Sequence, residues 1–277
     1  LPKGGTVRVN FSRKLIVSPG SSVELKKWNT RETLGYAHDH KTKDKLDTTL
    51  KRMDALQYIF FAEKKRALLV ILQGMDAGGK DGTIRHVMAG ITPQGCNVTS
   101  FKEPSEIELA HDFLWRIHQA VPEKGMFGIF NRSQYEDVLV VRVHKLVPRS
   151  VWKERYDQIN QFEKMLSENH VKILKFFLHI SPEEQKKRLE ERLTDPHKYW
   201  KISKADLAER KYWPDYVDAY EDAISRCSTA WAPWYIIPAD HKWFRNLAIS
   251  RIMLETLEDF DMGIPQPSVD FKQLKKK

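Results

Sequence analysis

The apolar run Ala67-Leu68-Leu69-Val70-Ile71-Leu72 passes through Gln73 straight into Gly74-Met75-Asp76-Ala77-Gly78-Gly79-Lys80-Asp81-Gly82. A continuous, β-branched stretch of that length suits a strand buried on both faces, as in a parallel sheet. The glycine-rich segment fits the G-x-x-x-x-G-K core of a phosphate loop. Its glycines let backbone N–H groups turn around phosphate oxygens, and its lysine, expected as an exposed point charge, neutralises them. A helix read over 83–88 aims its positive end at the same place. The competing reading is a glycine-rich turn that binds nothing; the strand before and the helix after favour phosphate. The expected binding set is Gly74, Met75, Ala77, Gly78, Gly79, Lys80, Asp81 and Gly82.

Two positions depart from the usual pattern. Asp81 stands where Ser or Thr offers a hydroxyl to Mg²⁺. Asp76 puts a carboxylate among phosphates, which calls for a cation between them and makes it a candidate Mg²⁺ ligand rather than a mere shaper of the turn.

A buried first strand needs neighbours. Strand patterns recur at 97–101, 126–130, 171–180 and 234–238. Helical patterns alternate with them. Leu50, Met53, Leu56, Ile59 and Phe60 form a stripe from Thr49 on, and Val151, Tyr156, Ile159, Phe162 and Met165 form another after Pro148. Ser105 and Glu108 read as a capping box, and Ser181-Pro182-Glu183-Glu184 combines an N-cap, a first-turn proline and a capping-box glutamate. Strands alternating with helices describe an α/β sheet covered on both faces. One domain over 49–267 is expected. An extended arm with little regular structure precedes it (1–48), and a basic tail follows (268–277). His38-Asp39-His40 reads as a solvated loop rather than a metal site.

Two more signals accompany the loop. Asn131-Arg132-Ser133-Gln134-Tyr135-Glu136-Asp137 follows the third strand, and ligands gather at the carboxyl ends of strands in such sheets. Arg132 there suits a fork onto phosphate oxygens. Glu136 and Asp137 suit either a second metal or a helix cap. Arg188 and Arg192, one helical turn apart, share a face. The segment Asp195-Pro196-His197-Lys198-Tyr199-Trp200-Lys201 after them suits a lid over about 188–213 that brings arginines, and Lys201, to a phosphate chain.

The net charge of +9 and a pI near 9.3 ask for an anionic partner without choosing among nucleic acid, metabolite and inorganic polyanion. Trp152, Trp213, Trp231 and Trp234 sit in apolar or helical contexts, more like core than base-stacking platforms, so nucleic acid is not expected. Cys96 and Cys227 lack metal-ligand spacing. No run of about 18 apolar residues occurs and the first ten residues lack a signal-peptide core, so a cytoplasmic, membrane-free protein is expected.

GMDAGGKDGTIR, FNRSQYEDVLVVRV, FFLHIS-x-EEQ-x-x-R and APWYIIPAD, in this order, resemble the family-2 polyphosphate kinases, over about Thr30 to Pro267. The resemblance implies a P-loop kinase fold like thymidylate kinase, with a five-stranded parallel sheet and a helical lid. It implies Mg²⁺-dependent, reversible phosphoryl transfer between polyphosphate and a nucleoside mono- or diphosphate. Asp76 and Lys80 match the family's loop residues, Arg132 its strand-end arginine and Arg192 its lid arginine. Many members have aspartate at the place of Asn131 and a neutral amide at the place of Glu136. That paired exchange resembles the class III subgroup, which accepts both AMP and ADP. The expected catalytic set is Asp76, Lys80, Arg132, Glu136, Arg188 and Arg192, the metal set Asp76, Glu136 and Asp137, and the assembly a homo-oligomer. The rivals are an ATP-dependent nucleotide kinase of the same fold and a non-catalytic polyanion- or nucleic-acid-binding protein.

Overall fold

A computed structural model describes residues 10–201 and 208–266. Five parallel strands form one sheet: β1 (Ala67–Gln73), β2 (Cys96–Ser100), β3 (Phe127–Asn131), β4 (Val171–His179) and β5 (Trp234–Pro238), in the order β2-β3-β1-β4-β5. All of β1 is buried. Leu68, Val70 and Leu72 enter one core and Ala67, Leu69 and Ile71 the other, which is why this strand reads as apolar without alternation. From β1 the chain builds β2 and β3 on one side, then β4 and β5 on the other. The resulting crevice opens at the carboxyl end of β1, the place such sheets offer to ligands.

Helices cover both faces: α1 (Phe11–Leu15), α2 (His40–Glu63), α3 (Lys80–Val87), α4 (Glu106–Leu109), α5 (Trp115–Gln119), α6 (Val140–Val143), α7 (Arg149–Glu168), α8 (Pro182–Thr194), α9 (Trp213–Cys227) and α10 (Lys242–Glu258). Ile117 of α5 and Phe162 and Leu166 of α7 close the smaller core. On the other face α10 is buried from Phe244 to Leu254, as a helix sandwiched between the sheet and α2 must be. No helix among the described residues is long and apolar enough to cross a membrane.

The N-terminal segment differs from the expected arm. Phe11, Leu15, Val17, Val23 and Leu25 are buried in the main core. Val17 N donates to Trp234 O at 2.8 Å, and Ile16 bridges antiparallel to Tyr235. The segment therefore edges the sheet beside β5. Its apolar residues are spaced irregularly, so no periodicity announces them. Helix α2 also starts at His40 rather than Thr49, with Asp39 accepting from Thr42 N at 2.8 Å. The charged run 40–45 hides that turn, and His38-Asp39-His40 is a helix start. The expected tail, 268–277, and residues 202–207 of the expected lid lie outside the described residues.

The Ser105–Glu108 capping box is formed in both directions. At α8 only half of the expected box forms. Ser181 accepts from Glu184 N at 3.1 Å, while Ser181 N donates to Asp240 at 2.8 Å and Glu184 turns to Arg188 at 2.7 Å.

Candidate active site

The loop after β1 returns on itself through Ala77 and Gly79, both left-handed (φ 59° and 100°). Only glycine suits position 79, where a Cβ would lie 2.0 Å from Arg245 Nη1. Gly79 is the N-cap of α3 and supplies no side-chain acceptor, so the free N–H groups of the first turn face the loop. Lys80 is half-buried rather than exposed: its Nζ donates to Gly74 O at 2.7 Å. Desolvation, then the Arg132 charge, pull its pKa below the ordinary lysine value.

Register pairing of Leu72 with Asn131 brings the end of β3 beside the loop. Arg132 takes a left-handed backbone (φ 66°), rare for a non-glycine residue and held here by its N–H bond to Leu72 O at 3.1 Å. Its guanidinium donates to Asp76 Oδ1 at 3.0 Å and to Glu136 Oε2 at 3.3 Å. Those carboxylates, Glu136 foremost, raise its pKa further. Asn131 donates to Asp81 at 2.8 Å, and Lys201 approaches the other Asp81 oxygen at 3.6 Å. Asp81 thus ties β3 and the segment after α8 to α3. Its carboxylate is no donor to phosphate.

A buried network fixes this turn from behind. Lys175 and Glu163 form an ion pair with both side chains fully buried. Gln134 and Tyr135 donate to Glu163 at 3.0 and 2.8 Å, and Lys175 reaches the Tyr135 hydroxyl at 2.8 Å. Asp137, expected among the metal ligands, points away instead. It accepts from Arg155 at 2.8 Å, and burial pushes its pKa up to about 6.

Arg188 and Arg192 separate in role. Arg188 is buried and donates to Ala77 O at 3.1 Å, Gly78 O at 3.0 Å and Asp240 O at 3.2 Å. It clamps the loop backbone and has little left for a phosphate, contrary to the expectation of two lid arginines. Arg192 instead lines the cavities on both sides of the loop and donates to Lys201 O at 3.2 Å.

Those cavities measure about 560 and 860 Å³ and share Ala77, Gly79, Gly82, Arg192 and Lys201. Asp76, Lys80, Asn131 and Arg132 face the smaller one. Arg31, Lys187, Lys198, Lys242 and Arg245 face the larger. Arg245 escaped the sequence reading because nothing marks an arginine in a helix as buried. It is 2% exposed, and among the described residues its guanidinium donates only to Asn246 Oδ1 (3.2 and 2.9 Å) and makes no ion pair. Burial, then Arg188, push its pKa down to about 10. A buried cation without a carboxylate, set against the loop glycines, suits an anionic ligand.

No group of three or more metal-ligating side chains occurs among the described residues. With Asp81 engaged by Asn131 and Lys201, Asp76 and Glu136, bridged by Arg132, make a pair of carboxylates at the loop. That number fits Mg²⁺, which commonly takes one or two carboxylates and completes its shell with water and substrate phosphate.

The family model described as Polyphosphate kinase 2 (PPK2) matches residues 36–264. The chain is 50% identical over 256 residues to an AMP/ADP-polyphosphate phosphotransferase of Meiothermus ruber, covering 92% of this chain and 96% of that one. It is 45% identical over 267 residues to an ADP-polyphosphate phosphotransferase of Rhodopseudomonas palustris, covering 92% of each. Among solved structures, a polyphosphate kinase 2 from Arthrobacter aurescens TC1 matches with a TM-score of 0.91 at 41% identity, over 97% of this chain and 96% of that one.

Proposed function

Because this chain belongs to the polyphosphate kinase 2 family, we propose that it transfers the terminal phosphoryl group of inorganic polyphosphate to a nucleoside mono- or diphosphate, carrying AMP through ADP to ATP. The observation that carries the reading is Arg132 held between Asp76 and Glu136 at the phosphate loop, with a basic cavity on the loop's other side.

An oxygen of the nucleotide's terminal phosphate attacks the end phosphorus of the donor in line. The bridging P–O bond breaks, and the shortened polyphosphate leaves with that bond's electrons. No covalent protein intermediate is needed, so the protein acts by positioning and charge. Loop N–H groups and Lys80 hold the phosphates. Arg132 and Arg192 offset the charge that spreads over the transferring group, and Arg188 keeps the loop in shape. Asp76 and Glu136 would hold Mg²⁺, which would neutralise phosphate charge.

Glu136 is the residue we assign to the choice of acceptor. It sits at the turn after β3, 15% exposed and bonded to Arg132, where a carboxylate can support a cation over the single phosphate of AMP. An ATP-free assay with polyphosphate and Mg²⁺ tests the reading. Wild type should consume both AMP and ADP, and Glu136→Asn should depress the AMP rate more than the ADP rate. Consumption of ADP alone by wild type would remove the dual-acceptor reading and leave the donor reading standing.

A further inference from the structure

The sheet has two ends, and the phosphate loop occupies one. At the other, by the amino ends of β1 and β4, lies a concavity of about 640 Å³ lined by Lys64, Lys65, Arg66, Lys124, His170 and Lys172. Helix α2 ends just before Lys64 and α7 just before His170. Helix carboxyl ends favour cations, which accounts for part of this cluster. It does not account for Lys124, which lies in the loop leading to β3.

The acidic answer to these charges is small. Glu63 pairs with Lys65 at 2.7 Å and approaches Arg66 at 3.7 Å. Lys64, Lys124 and Lys172 make no ion pair among the described residues. Two of the cations are seated on rings, Arg66 over Phe260 at 4.9 Å and Lys64 over Phe61 at 5.9 Å. Converging cations with one carboxylate between them fit a multiply charged, linear anion better than a single acidic side chain.

We propose that this concavity is a second site for the phosphate chain of the donor, gripping a stretch remote from the end that reacts. The inference rests on polyphosphate being that donor. Strand β1 has seven residues. It therefore sets the two sites on the order of 20 Å apart through the molecule, and farther around its surface. Only a long chain reaches both, and its second contact is then made at high effective concentration. The site makes the enzyme prefer long polyphosphate without touching the chemistry.

The test compares long-chain polyphosphate with linear hexaphosphate as donors to ADP, for wild type and for Lys64→Glu/Lys124→Glu/Lys172→Glu. A control carries Lys14→Glu/Lys26→Glu/Lys153→Glu, exposed lysines outside all three cavities with the same change in net charge. In the test variant KM for long chains should rise roughly tenfold, the loss expected from a few screened ion contacts. KM for hexaphosphate and kcat with either donor should hold, which also shows that the fold is intact. Lys64→Gln/Lys124→Gln should give a smaller shift of the same sign. An equal shift for both donors, an equal shift in the control, no shift, or a changed oligomeric state on reversal would each overturn the proposal. So would loss of duplex-DNA binding with the long-chain KM unmoved. Failure of wild type to use either donor would instead overturn the donor reading itself.

Discussion

Arg132 and Asp76, 56 residues apart in the chain, meet at 3.0 Å where the ends of two adjacent strands converge. The contact places a guanidinium and a carboxylate at the mouth of the same cavity, so charge there is balanced before any phosphate arrives. Asp76→Asn separates the two jobs of this carboxylate. If it holds Mg²⁺, the metal concentration for half-maximal rate should rise by at least about tenfold, read from a Mg²⁺ titration at fixed substrate. An unchanged titration midpoint with a lower rate would leave Asp76 only the task of orienting Arg132.

Lys80→Met should lower kcat by about 10²- to 10³-fold, the loss typical of removing one group aimed at developing charge. The protein should still fold, because the side chain is half-buried and gives up a bond to Gly74 O rather than a place in the core. Steady-state kinetics beside a thermal melt check both parts. Activity within tenfold of wild type would remove the loop from the catalytic machinery.

The two arginines of α8 should respond differently. Arg192→Ala should reduce kcat more than it raises KM for the nucleotide, as expected of a group acting mainly as charge develops. Arg188→Ala leaves buried carbonyls of the loop unpaired, so it should cost roughly 3 kcal/mol of stability, seen in denaturant unfolding. A purely kinetic effect of Arg188→Ala, with stability unchanged, would return it to the reacting group.

The sheet and the phosphate loop were legible because each rests on short-range pattern. A doubly buried strand is apolar throughout, and the loop needs glycine and lysine at fixed spacing. Ser105 and Ser181 announced helix starts for the same reason. What escaped depends on long-range packing. Phe11, Leu15 and Val17 look like scattered apolar residues until β5 lies beside them. Arg188 and Arg192 share a helix face, and sequence alone does not tell which guanidinium meets the carbonyls of the phosphate loop. Asp137 is adjacent to Glu136 in sequence, yet a short 3-10 turn sends it to Arg155. Arg245 belongs to no local motif; only the fold puts it against Gly79.

Arg245 should prove costly to the fold and useful to the reaction. Burial depresses its pKa to about 10, below the ordinary arginine value. A base with a lowered folded pKa binds its proton less tightly when folded, so its charge subtracts stability at every pH below about 10. That loss fades only as pH rises above about 10 toward the ordinary arginine value. Arg245→Met at pH 7 should therefore melt no lower than wild type, and as much as about 1–3 kcal/mol more stable. Its KM for polyphosphate should rise. A lower melting temperature would show that packing and the Asn246 bonds outweigh the buried charge.

Phosphorus NMR follows every phosphate in the reaction at once. Wild-type enzyme with polyphosphate, Mg²⁺ and AMP, and no ATP, should show the AMP resonance falling, ADP rising and then falling, and ATP accumulating as internal polyphosphate signal is lost in step. Polyphosphate resonances that never change, with AMP consumed only once ATP is added, would contradict the account and would make this chain an ATP-dependent nucleotide kinase.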